Sequence, residues 1–317
     1  MKLTRLQFDL LARLIQGRGS VTQRELAGAT GWSLGSVNRA LGELSAHGWI
    51  RQGAVTEAGR EALEPHRAKR AIFLAAGFGA RMVPITLNTP KPLIRVKGVR
   101  IIDTLLDAVT GAGIEEIYIV RGYLAEQFDQ LLYKYPQIEF LENPAYNETN
   151  NISSLMCARC HLQSAYVLEA DLFLQNPGLI TPYQYRSNYL GVPVERTDDW
   201  CFTSRDRRIT DLTLGGRNCH HMFGISYWTD ADGARLAGRI QDVYGMPGGR
   251  ERFWDAVALN YFPEEFEIDI RECGFDDLVE LDTFRELKEL DPSYGAPGQA
   301  GNEGLDQARS SLSSKSP

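Results

Sequence analysis

The sequence predicts a chain of two folded units: a small helical head with one short hairpin, then a larger α/β unit built on a mixed, mostly parallel sheet. Three observations carry this. Apolar residues recur at helical spacing through the first fifty positions, the apolar run Ala71-Ile72-Phe73-Leu74 passes directly into a glycine-containing loop, and charge is unevenly divided along the 317 residues. Residues 1–70 hold 11 Lys and Arg against 6 Asp and Glu, a balance of +5 in a chain of net charge −7, which leaves −12 for the rest. A basic head on an acidic body points to a nucleic-acid partner for the head. With 43% hydrophobic and 10% aromatic residues, the composition excludes a disordered or collagen-like chain. There is no apolar run of about 18 residues, and MKLTRLQFDL lacks the apolar core of a signal peptide, so a cytoplasmic protein without membrane contacts is expected. Five cysteines are too few and too unevenly placed for a disulfide framework.

In the head, Leu6, Leu10, Leu11, Leu14 and Ile15 form the apolar face of a first helix. Thr22-Gln-Arg-Glu25 is a capping box that opens a second helix, which stops near Thr30-Gly31-Trp32. Ser33 or Ser36 caps a third helix that turns Val37, Leu41 and Leu44 inward and Ser36, Asn38 and Arg39 outward. Trp49 to Val55 reads as a hairpin, and Thr56-Glu57 restarts a helix. This pattern resembles the winged helix-turn-helix domains of MarR-type regulators, which implies that the third helix enters the major groove while Arg51 meets phosphates; dimerisation or protein contact is the alternative use. The expected divisions are 1–67 for this domain, 68–291 for the α/β domain and 292–317 for a tail. That tail, rich in Gly, Ser, Pro and Gln, is expected to be disordered.

The second unit opens with a strand and the loop Ala75-Ala76-Gly77-Phe78-Gly79-Ala80-Arg81. Glycines here let backbone N–H groups approach phosphate oxygens. Met82 stands where a dinucleotide fingerprint needs glycine or alanine, and no Walker lysine follows. Ten residues after Arg81, Lys91 adds a second cation held between Pro90 and Pro92.

LAAGFGARM from Leu74 and NTPKPLI from Asn88 resemble the signature of the sugar-phosphate nucleotidyltransferase superfamily. The likeness continues, from about Ala71 to Leu290, through VRGYLAEQF at Val120, YNETNNISSL at Tyr146, YVLEAD at Tyr166, Asp199-Trp200, GISYW at Gly224, Phe253-Trp254-Asp255 and Glu280-Leu281-Asp282. Within the superfamily it resembles CTP:phosphocholine cytidylyltransferases of the LicC type. That resemblance implies a Rossmann-like nucleotidyltransferase domain, Mg²⁺ as cofactor, and transfer of CMP from CTP to phosphocholine, giving CDP-choline and pyrophosphate. Ala80 replaces the usual Ser or Thr, and Glu169 replaces the first aspartate of the usual pair beside Asp171.

Nucleotidyl transfer needs alignment and charge neutralisation more than covalent help, because the attacking phosphate oxygen is already an anion. Arg81 suits the triphosphate and leaving pyrophosphate, and Lys91 suits the bridge between nucleotide and acceptor. Asp171, at the end of a buried strand, is the third catalytic candidate and with Asp282 the expected Mg²⁺ pair. Leu74, Ala75, Gly77 and Gly79 are expected to line the nucleotide. Asn150, Asn151 and Ser154 cap a helix or, as the resemblance implies, read the cytosine edge. An aromatic face attracts a quaternary ammonium and a nearby carboxylate adds charge. By motif, Trp200, Trp254, Asp255 and Glu280 are the cage, with Tyr227 and Trp228 beside them. The alternative acceptor, 2-aminoethylphosphonate, would want carboxylates instead, and a ligand-sensing regulator with an inactive transferase-like domain is the alternative of a different class. A homodimer is compatible with either. The haem-like spelling Cys157-Ala-Arg-Cys160-His161 falls within a helical pattern and is set aside, as is Cys219-His220-His221.

Overall fold

Thr4, Thr22, Ser33 and Thr56 each accept a hydrogen bond from a backbone N–H three residues on, and each starts a helix in the computed structural model, which describes residues 2–17 and 21–295. The helices are α1 (Arg5–Gln16), α2 (Gln23–Thr30), α3 (Leu34–Ala46) and α4 (Glu57–Leu63). The capping box at Thr22 forms, a second one joins Thr4 to Gln7, and Gly31 ends α2 at φ +73°. Strands β1 (Ile50–Arg51) and β2 (Ala54–Val55) make the hairpin between α3 and α4. Leu10, Leu11, Leu26, Val37, Leu44 and Leu63 form the core of this winged helix-turn-helix unit, and Asn38, Arg39 and Arg51 face out. Tyr183, from the larger unit, packs into the same core, and Arg5 Nη1 lies 2.7 Å from Asp269.

The larger unit begins with β3 (Arg70–Ala75). Strands β4 (Arg95–Val96) and β5 (Val99–Arg100) form a small hairpin that leads into α5 (Ile101–Gly111), followed by β6 (Glu116–Arg121) and β7 (Ile138–Glu142). Then come α6 (Ile152–Ala158), β8 (Ala165–Glu169), β9 (Leu172–Leu174), β10 (Asn188–Arg205), β11 (Arg208–Trp228) and α7 (Asp230–Gly245). Strands β12 (Asp269–Glu272) and β13 (Leu278–Glu280) precede α8 (Phe284–Leu290). In a seven-stranded sheet β3 lies between β6 and β8, parallel to both, with β7 parallel to β6 and β8 at the centre of the order. The long strand β11 runs antiparallel to β8, while β10 is antiparallel to β11 and parallel to β12. Because side chains alternate across a strand, Phe73 enters the core under α5 and its neighbour Ile72 enters the one under α6 and α7. Both faces are therefore covered, and the open ends of β3 and β8 are left for a site.

The described chain runs past the expected start of the tail. Pro292–Gly295 forms a 3₁₀ turn whose Tyr294 hydroxyl donates to Arg95 O at 2.7 Å, because Tyr294 gives the segment an aromatic anchor; the tail expected beyond Gly295 lies outside the described residues. No described helix is long and apolar enough to cross a membrane.

Candidate active site

Beyond β3 the chain must turn tightly, and Gly79 makes this possible at φ +68°. A Cβ there would stand 3.2 Å from both Lys91 Cβ and Thr86 Cγ2, so glycine lets the loop close on the lysine. Lys91 opens a short 3₁₀ turn between its two prolines with its side chain only 9% exposed. Its ammonium lies 2.7 Å from Asp171 Oδ2 and 3.0 Å from Asp282 Oδ1. Pairing of β9 with β13, with Leu172 opposite Glu280, is what brings these distant aspartates together. Arg81, 68% exposed, reaches Asp282 Oδ1 at 2.8 Å from the rim. Burial alone would lower the Lys91 pKa, but Asp171 and Asp282 outweigh it and hold the ammonium above its ordinary value.

These four residues line one cavity of about 550 Å³. Leu74, Ala75, Gly77, Gly79, Asn150, Asn151, Ser154, Trp200, Asp255 and Glu280 line it too, so fourteen sequence-selected positions converge. Among the described residues six carboxylates face the cavity, Glu169, Asp171, Asp199, Asp255, Glu280 and Asp282, against Arg81 and Lys91 as cations. The crowding shows in the acids' protonation. Burial, with repulsion from Asp171 and Asp282, pushes Glu280 up to about 8. Burial likewise pushes Asp255 up to about 7, against the hydrogen bond it accepts from the Tyr189 hydroxyl at 3.0 Å. Glu169 is held well above the usual carboxyl range by burial, with Asp171, Asp255 and Glu280 adding repulsion.

Carboxylate oxygens of Asp171, Glu280 and Asp282 all lie within 4.8 Å of one another, and Asp171 Oδ1 is buried without a partner among the described residues. Hard oxygen donors with an orphaned buried atom fit Mg²⁺. Glu280, expected in the acceptor cage, thus stands with the two aspartates.

The cage itself differs from expectation. Tyr227, Trp228 and Trp254 are 1%, 0% and 1% exposed and belong to the core, outside the cavity lining. Tyr227 packs edge-on against Tyr166, and Trp228 and Trp254 pack around Tyr189. Phe253, Asp255 and Ala256 line the cavity, whereas Trp254 is buried against Tyr189 and Trp228. Phe253, passed over in favour of its neighbour, is the ring that meets Trp200, with centroids 5.5 Å apart and planes at 63°. Tyr146 and Glu169, which belong to the resembling motifs but were not expected at the site, line the cavity as well.

The Asn150–Ser154 segment does not cap α6 by side chain, although Asn151 occupies the N-cap position. Asn151 Oδ1 instead accepts from Trp254 N at 3.0 Å, and Asn150 Oδ1 accepts from Asn151 N at 2.7 Å. Asn143 Nδ2 donates to both Ser153 and Ser154 hydroxyls. The Ser153 hydroxyl donates to Asn150 O, whereas the Ser154 hydroxyl proton and Asn151 Nδ2 have no partner among the described residues.

Residues 71–186 match the MobA-like NTP transferase domain family, and residues 2–61 match the MarR family. The chain is 39% identical over 228 residues to the 2-aminoethylphosphonate cytidylyltransferase of Lancefieldella rimae, covering 71% of this chain and 92% of that one. It is 29% identical over 224 residues to a choline-phosphate cytidylyltransferase of Streptococcus pneumoniae, covering 70% and 96%. The solved CTP:phosphocholine cytidylyltransferase LicC of Streptococcus pneumoniae matches with a TM-score of 0.66 at 28% identity, over 71% of this chain and 98% of that chain. The chain therefore belongs to the cytidylyltransferases of the MobA-like NTP transferase fold, with a MarR-family domain ahead of it.

Proposed function

We propose that the chain transfers CMP from CTP to a small amine-bearing phosphonate or phosphate, with 2-aminoethylphosphonate the acceptor that suits the cavity best. The imbalance of six carboxylates against two cations carries this reading. Mg²⁺ and an acceptor ammonium together supply the missing positive charge, while Arg81 and Lys91 meet the triphosphate. An oxygen of the acceptor attacks the α-phosphorus of CTP. The new P–O bond forms as the bond to the oxygen bridging the β-phosphate breaks, and pyrophosphate leaves with that electron pair. Lys91 holds the α-phosphate and acceptor oxygens together, and Arg81 at the rim neutralises charge growing on the leaving group. Asp171, Asp282 and Glu280 would hold Mg²⁺, which when bound neutralises phosphate charge and fixes phosphate orientation. For the base, Asn151 Nδ2 and the Ser154 hydroxyl offer two donors; cytosine presents acceptors at N3 and O2, whereas uracil presents a donor at N3.

A primary ammonium has three protons for carboxylates, and Asp199 and Asp255 offer acceptors beside one aromatic corner. The Trp200–Phe253 corner favours phosphocholine as the second reading, since perpendicular rings suit a quaternary ammonium. Purified protein given CTP, Mg²⁺ and both acceptors in equal amounts should yield mostly the aminoethylphosphonate product. Predominant CDP-choline would transfer the assignment to phosphocholine, and no pyrophosphate with either would overturn it. The MarR-family domain is proposed to bind DNA through the exposed residues of α3 and Arg51.

A further inference from the structure

A second cavity, of about 320 Å³, opens between α1 of the MarR-family domain and β12 with residues 181–188 of the transferase domain. Its charge is opposite to that of the active site. Arg5, Arg13, Arg186, Arg207 and Arg271 line it, with Asp9 and Asp269 as the acids. Arg5 engages both, at 3.0 Å and 2.7 Å, and Arg186 pairs with Glu267. Arg13, Arg207 and Arg271 have no acidic partner among the described residues. Arg271 is the most constrained: its Nη2 donates to Leu179 O at 2.7 Å, while Nη1 is buried with no partner. A buried guanidinium donor left unpaired is costly, and an anionic acceptor removes that cost.

Of the aromatic residues at this cavity, Phe8 and Tyr183 are buried in the core and the Tyr185 ring is already covered. His66 stacks on Tyr185 at 5.4 Å and 14°, and the Arg5 guanidinium lies 5.2 Å from the same ring's centroid. With no unpaired acid lining the cavity among the described residues and the Tyr185 ring occupied, charge and hydrogen bonding decide what binds.

We infer that this cavity is a binding site for a compact phosphate anion, held by Arg13, Arg207 and Arg271. Such an anion touches both domains at once, so its binding stabilises their docked arrangement by mass action. Pyrophosphate leaving the active site is one source, which rests on the transfer proposed above; inorganic phosphate from solution is the other.

Isothermal titration of the full chain with pyrophosphate, and in parallel with inorganic phosphate, tests this. Two pyrophosphate sites per chain are expected, one of them formed by Arg81 and Lys91. Arg13→Gln with Arg207→Gln, both exposed positions, should weaken the second site about tenfold or more and leave CMP transfer unchanged. Lys91→Ala should remove only the first. Tighter pyrophosphate than phosphate at the second site assigns the leaving group as its source, and the reverse assigns free phosphate. A single site that disappears with Arg13→Gln/Arg207→Gln but survives Lys91→Ala keeps this inference while sinking the active-site reading. A single site lost in Lys91→Ala, or two sites that both survive the arginine pair unchanged, overturns it.

Discussion

Lys91 shows how one residue joins chemistry to fold. Its ammonium is the counter-ion that lets Asp171 and Asp282 approach, and in the proposed transfer it is also the cation that meets the phosphates. Asp171→Asn is therefore expected to lower kcat for pyrophosphate release by about 10²-fold or more with the fold intact by circular dichroism. Asp255 makes a pH prediction. Its folded pKa of about 7 lies above the ordinary 3.8, so between those values the native state binds more protons than the unfolded state and stability falls as pH rises. Asp255→Asn should then be more stable than wild type at pH 8, by roughly 1–4 kcal/mol in denaturant unfolding, with the gap closing towards pH 5. If the acceptor carries an ammonium, as proposed, wild type is expected to show an acceptor KM that falls as pH rises through about 7, since only ionised Asp255 attracts it, and the same substitution should abolish that fall. Individual cations and acids were legible in the sequence because their types are dictated by phosphate chemistry. Which aromatic residue faced the cavity was not, because Trp254 and Phe253 differ only in the direction each points.

At the scale of elements, local signals carried furthest where the interaction itself is local. The Thr22–Glu25 box and the stop at Gly31 lie within a few residues of one another and formed as expected. Asn151 departed from that logic because a distant backbone N–H, that of Trp254, competes for its side chain. Long-range pairing left no such mark. Nothing in the sequence announced that β9 would lie against β13, or that β10 and β11 would extend over 18 and 21 residues. The packing of Trp254 against Tyr189 gives a test. Trp254→Ala should cost about 3–5 kcal/mol in stability, whereas Trp200→Ala should change stability little and raise acceptor KM. A soluble, stable Trp254→Ala with only an acceptor defect would restore the cage first expected.

Over the whole molecule, charge division was the clearest advance signal. The basic head became the MarR-family domain, and the acidic remainder holds a cavity lined by six carboxylates. Two domains of such different character invite separate assays. DNA binding by the head should weaken steeply with salt, and Arg39→Ala or Arg51→Ala should each reduce the slope of log K against log salt by about 1 in a mobility-shift series. A salt-independent interaction would point to protein contacts instead. For the transferase domain, the central claim is that Lys91, Asp171 and Asp282 act as one unit on one phosphorus. The most direct measurement is kcat for pyrophosphate release from CTP and 2-aminoethylphosphonate in a Lys91→Ala/Asp282→Asn double-mutant cycle. Each single change should cost about 10²-fold or more, and the double should cost little beyond the worse single. Near-normal turnover in either single variant, or losses that simply multiply, would contradict it.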